Sequence, residues 1–202
     1  MSLFLRRFAP AMLIVAISGL LVTCAMTDGE KQLTAEELVA RGQYLVTIGN
    51  CNDCHSPKRY DTGAPVPDPA LLLSGHQAGT EIAELPQNHP NAGGWTFLGN
   101  AHFTAWASPW GIAFAANLTP DSATGLGTWT EDDFIKTLRS GKHKGSDRMI
   151  LPPMPWQFIG KMSDQDLKAI YAYLRSLPPV SNQVPSPIPP QEPGTMNEAG
   201  LD

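Results

Sequence analysis

At 202 residues, with 42% hydrophobic and 16% charged side chains, the chain has room for one ordinary domain with tails, or at most two very small ones. It carries 19 acidic against 14 basic residues, a formal charge of −5, and two of the basic ones, Arg6 and Arg7, sit near the N-terminus, so the remainder is more acidic still. Such a balance argues against a protein held to nucleic acid or an anionic membrane surface by charge, and favours basic partners through long-range steering.

Arg6 and Arg7 precede an uncharged, mostly apolar run from Phe8 to Val22, the layout of an export signal peptide. Residues 1–25 are therefore expected to be a leader and 26–32 a polar linker. Leu21-Val22-Thr23-Cys24 looks like a bacterial lipobox, with Thr23 where Gly, Ala or Ser is usual. Lipidation at Cys24 would leave the protein on a membrane in the periplasm. Cleavage after Ala25 would release it, and retention of Phe8 to Met26, just long enough to span, would anchor it directly.

Three helices share one start signal. Thr34 with Glu37, Thr130 with Asp133 and Ser163 with Asp166 each place a hydroxyl at the N-cap and a carboxylate three residues on, the capping-box spacing. The acidic first turns suit the helix dipole. Leu38, Gly42, Leu45 and Gly49 lie on one face of the first helix, a stripe with small residues where another backbone can come close. Leu167, Ile170, Tyr171 and Leu174 form the matching stripe of the last helix, so these two helices are expected to pack together. The middle helix turns Phe134, Ile135 and Leu138 inward and ends at Gly141.

Between the first two helices, residues 56–116 have little periodicity and many Gly, Pro and aromatic residues, among them Trp95, Trp106 and Trp110. So long a structureless insert is unusual in a compact domain, and an ordered excursion is expected, with a short hairpin near Trp95 to Phe103. The domain is expected to cover 33–180. A Pro-rich stretch from Leu177 ends the last helix and continues as an extended tail over 181–202.

Cys51-Asn52-Asp53-Cys54-His55 is the attachment sequence for c-type haem. Two thiols three positions apart on a helix reach the two vinyl groups of one porphyrin, and the adjacent imidazole meets the iron. A disulfide, a redox dithiol or half of a zinc site would use the same cysteine spacing, but with three cysteines in all no second pair exists to complete a four-cysteine zinc site. A second iron ligand is expected further along, and a thioether suits electron transfer. Met149, Met154 and Met162 are the candidates, with His76, His89, His102 and His143 as outsiders. Pro152, Pro153 and Pro155 bracket Met154 and restrict its backbone, which favours it. Met162 reads as the staple of the last helix, and Met149 as a packing residue.

Arg41-Gly42-Gln43-Tyr44-Leu45, Asn117-Leu118-Thr119-Pro120-Asp121, Thr124-Gly125-Leu126-Gly127, Pro153-Met154-Pro155 and Tyr171-Ala172-Tyr173-Leu174-Arg175-Ser176-Leu177-Pro178-Pro179 together resemble class I cytochrome c domains. They are similar in particular to those in cytochrome subunits of bacterial membrane-bound alcohol and sugar dehydrogenases. The resemblance covers about residues 35 to 180. It implies an all-α fold wrapped on one covalently attached haem c, with Met154 as axial ligand opposite His55. The expected role is electron transfer, not catalysis, between a dehydrogenase or respiratory complex and an acceptor. A haem enzyme or gas-binding protein with a displaceable sixth ligand is the alternative.

Overall fold

The computed structural model describes residues 32–61, 63–82 and 96–190. The leader, nearly all of the linker, His89, Trp95 and the last part of the tail lie outside the described residues.

Helix α1, Ala35–Ile48, starts as the sequence anticipates. The Thr34 N–H donates to Glu37 Oε2 at 2.9 Å and the Glu37 N–H to Thr34 Oγ1 at 3.2 Å, a closed capping box. Such a cap contributes about 1 kcal/mol. Helix α2 is Cys51–His55 and helix α3 is Glu131–Ser140, where Thr130 and Asp133 form the same reciprocal pair and Gly141 ends the helix in the left-handed region. A four-residue helix, α4, Trp156–Ile159, follows Pro155. Helix α5 is Asp164–Ser176. Its Ser163 accepts from the Asp166 N–H at 3.1 Å, but the Asp166 carboxylate turns to Arg41 of α1 at 3.0 Å. The third start signal therefore works as an N-cap, with its carboxylate joining two helices.

Helices α1 and α5 pack together as their stripes predict. A Cβ on Gly42 would lie 2.6 Å from the Ala169 carbonyl carbon and 2.7 Å from Tyr173 Cβ, so only glycine permits this crossing. Leu45 and Val46 from α1, Phe134 and Leu138 from α3, and Leu167, Ala169, Ile170 and Leu174 from α5 form one core with Leu73 and Leu126. Each fully buried leucine there contributes about 1.5–3 kcal/mol.

The all-α expectation needs correcting in the insert. Strands β1, Lys58–Arg59, and β2, Val66–Pro67, pair antiparallel; β3, Leu98–Gly99, β4, Ala105–Ser108, and β5, Gly111–Phe114, form a second antiparallel sheet in that order. The expected hairpin near Trp95 to Phe103 is displaced: β3 falls inside that span, but its partner begins at Ala105. The inward residues of β4 are Ala105 and Ala107, and alternating alanines give no hydrophobic signature. The tail also joins this sheet. Ile188 exchanges both backbone hydrogen bonds with Ile112, at 2.8 and 3.0 Å.

Candidate haem-binding site

The chain leaves α1 through Gly49 and a left-handed Asn50, then enters α2. One helical turn separates Cys51 from Cys54, and His55 follows at once. The two thiols are unpaired and half-buried. Burial pushes both above the ordinary thiol range, and for Cys54 the neighbouring Asp53 adds to it. Reactive redox dithiols show the opposite, a lowered value, which disfavours a redox pair. Among the described residues no group of three or more His, Cys, Asp or Glu side chains is placed to hold a metal.

His55 is buried and gripped from two sides. Its Nδ1 lies 2.8 Å from the Ala116 carbonyl oxygen, and its own carbonyl accepts from the Gly75 N–H at 2.8 Å. A carbonyl can only accept, so Nδ1 carries the proton and Nε2 keeps the lone pair, the arrangement a metal-binding imidazole needs. Burial also lowers the imidazole's proton affinity, although the Ala116 bond opposes this. Gly75 has φ +80, and a Cβ there would sit 2.6 Å from the Ala116 carbonyl carbon. Two separate segments of the insert thus meet at Gly75 and Ala116 and clamp the histidine. Sequence reasoning missed both; the one available signal was a glycine in a Leu-Ser-Gly-His run, too common to read.

Lys58 was also missed. It is 6% exposed, and its Nζ donates to the carbonyls of Asn52, Asp53 and Ser56 at 2.9, 2.7 and 2.7 Å. Ser56 completes the wrap, donating to Asn52 Oδ1 at 2.8 Å and accepting from the Leu73 N–H at 2.8 Å.

Met154 is half-buried and packs against the same core cluster as Cys51. Its loop is fixed on both sides. The Ile150 N–H donates to the Gly141 carbonyl at 2.7 Å, and beyond α4 Arg139 reaches both the Gly160 carbonyl and Asp164. Met149 is 42% exposed, whereas Met162 touches the core at the entry to α5. The histidines have other partners: His102 Nδ1 meets the Lys58 backbone, His143 sets its ring edge-on to Trp129 at 5.5 Å, and His76 Nδ1 lies 3.0 Å from Thr104 Oγ1.

These donors fit a c-type haem: two thiols free to form thioethers, an imidazole with one nitrogen committed, and a thioether on a braced loop. Residues 39–178 match the family model for cytochrome c. The chain is 30% identical over 161 residues to the gluconate 2-dehydrogenase cytochrome c subunit of Pantoea cypripedii, covering 80% of this chain and 27% of that protein. It is 34% identical over 146 residues to the alcohol dehydrogenase (quinone) cytochrome c subunit of Gluconacetobacter polyoxogenes, covering 70% and 25%. The fructose dehydrogenase cytochrome subunit of Gluconobacter japonicus is 26% identical over 161 residues, 80% of this chain and 26% of that protein. The chain thus spans about a quarter of the length of these relatives. It belongs to the cytochrome c family, which implies a covalently bound haem c and a part in electron transfer.

Proposed function

We propose that the chain is an exported single-haem cytochrome passing electrons one at a time between a dehydrogenase or respiratory donor and an acceptor. The observation that carries this reading is α2, where two unpaired thiols one turn apart precede an imidazole whose Nδ1 is already committed to Ala116. Cys51 and Cys54 hold the porphyrin through thioethers, and His55 presents Nε2 to the iron. Haem c, when bound, supplies the one-electron iron chemistry. The chain's own part is to orient the ligands and keep the site dry. Met154, preorganised by its prolines and braced by α4, serves as the second ligand, which raises the potential and keeps exogenous ligands out. The dehydrogenase cytochrome subunits among the relatives support a dehydrogenase as donor. Arg6, Arg7 and the Leu-Val-Thr-Cys run support a periplasmic protein with a lipid on Cys24; a native N-terminus found by mass spectrometry to begin at Met26 would make it soluble instead.

Haem staining of the denatured protein tests the attachment. A peroxidase-active band is expected from the wild type and none from Cys51→Ala with Cys54→Ala; a band that survives overturns the reading. Met154→Ala should lower the potential, remove the weak sulfur-to-iron band and admit carbon monoxide to the reduced protein, whereas Met149→Leu and Met162→Leu should do none of these. If the wild type already binds carbon monoxide readily, the haem-enzyme reading takes its place.

A further inference from the structure

We propose that Lys58 is a positioning residue of this site: its ammonium, seated on three carbonyls at the end of α2, holds the attachment helix in shape and keeps a resident positive charge that favours reduction of the haem. The inference rests on the haem-binding reading above.

Helix α2 has five residues, too few to persist by its own hydrogen bonds, and its last carbonyls have no partner within the helix. The usual remedy, a left-handed glycine, is missing, since Ser56 follows with extended backbone at φ −124 and ψ 129. Lys58 replaces it. Its side chain folds back on the helix and places Nζ within 2.9 Å of the Asn52, Asp53 and Ser56 oxygens. An ammonium has three N–H donors and no lone pair, so three acceptors satisfy it completely; a neutral amine would aim a lone pair at a carbonyl. The lysine backbone is fixed as well, by pairing with Pro67 across β1 and β2 and by His102 Nδ1 against its N–H at 3.1 Å. Lysine is rarely buried without such compensation. Its three partners are neutral carbonyls, which solvate the charge without cancelling it. Burial lowers its proton affinity and the nearby Asp53 and Cys54 oppose this, while the charge in turn acts on His55. A fixed positive charge beside the attachment turn stabilises whichever redox state carries one more electron, and a partly buried charge is poorly screened by salt.

The test uses the full haem-loaded protein. Lys58→Met keeps the apolar stem and removes the charge. It should retain covalent haem yet shift the equilibrium ratio of reduced to oxidised protein about tenfold toward oxidised, 59 mV for a one-electron couple. Lys58→Arg should recover more than half of that shift. A Lys58→Met protein with attached haem and wild-type potential overturns the inference, as does a Lys58→Arg protein that falls as far as Lys58→Met. A merely structural lysine would lower thermal stability without moving the potential of the folded protein. If Lys58→Met does not fold, the decision passes to the wild type: in the reduced, diamagnetic state the 15N signal of Lys58 should be an ammonium protected from solvent exchange, and a rapidly exchanging or neutral amine overturns the inference. Wild-type protein without covalent haem would instead mean that the haem-binding reading itself has failed.

Discussion

The helical body and the insert are stabilised by different means. The body, α1, α3 and α5, buries leucine, isoleucine, valine and phenylalanine, and its ion pairs, such as Arg41 with Asp166, stay at the surface, where each contributes at most about 1 kcal/mol. Among the described residues of the insert, apart from Pro57, Leu73 and two alanines, the buried side chains are polar: Ser56, Lys58, Ser74, His76, Thr104 and Ser108. Four of them bond backbone directly, as with Ser56 to the Leu73 N–H, Lys58 to the Asn52 carbonyl, Ser74 to the Leu71 carbonyl and Ser108 to the Gly111 carbonyl, while His76 Nδ1 and Thr104 Oγ1 meet each other. Apolar packing is non-directional and yields gradually, whereas a directed polar network either has all of its partners or leaves one stranded at the full cost of desolvation. The clamp on His55 belongs to the second kind.

The largest effect should come from the body. Leu167, with no exposed surface, should cost about 2–5 kcal/mol when changed to Ala, read as a lower denaturant midpoint, with amide protection falling in α1, α3 and α5 together. Asn182→Ala should cost less, about 1–3 kcal/mol, and act elsewhere. Its Nδ2 donates to the Ser74 and His76 carbonyls at 2.7 and 2.9 Å, and its Oδ1 accepts from the Ala78 N–H at 2.8 Å, so hydrogen exchange should rise first around 74–78. Equal loss of protection in α5 would show that the two regions unfold as one unit and would break the contrast.

Acid should separate them with the smallest effect. Burial, helped by His102, holds the His76 imidazolium below the ordinary range. The unfolded chain therefore binds that proton more readily, and the stability this gives is present above about pH 6.5 and lost as pH falls below it. Asp133 is held well below the usual carboxylate range by the Thr130 N–H and then by Lys144, so its contribution to α3 persists until pH drops below about 3.9. In a His143→Gln background, which removes the imidazole after α3 that burial lowers in the same way, the insert should lose amide protection between pH 7.5 and 5.5 while α3 does not, and His76→Gln should flatten the change. A loss shared by both regions would count against the assignment.

The sequence discloses the body far better than the insert. Thr34 with Glu37 and Thr130 with Asp133 are local signals, complete within four residues, and the structure realises them as written. The stripe that places Gly42 against Ala169 is nearly as plain, because helical period and a small residue together define a close crossing. The Cys-X-X-Cys-His run stands out for the same reason: its chemistry lies in consecutive positions. What escapes is nonlocal or compositionally mute. Lys58 reads as an ordinary surface charge until its Nζ is seen on three carbonyls, and Ala116 acts through its backbone, about which its side chain says nothing. Asn182 lies in a proline-rich stretch that reads as tail yet is 5% exposed, and α4 is too short for any period to show.

Asn182 also fixes an order of events during synthesis. Its three side-chain bonds reach back 104, 106 and 108 residues, and the strand bridge from Ile188 to Ile112 is long-range as well. No local contact can stand in for them, and contacts of such long sequence separation form late because loop closure must come first. A chain emerging from its N-terminus therefore presents Cys51, Cys54 and His55 well before it possesses the residues that lock the Ser74–Ala78 segment beside them. The attachment sequence is available first and its cover is fastened last.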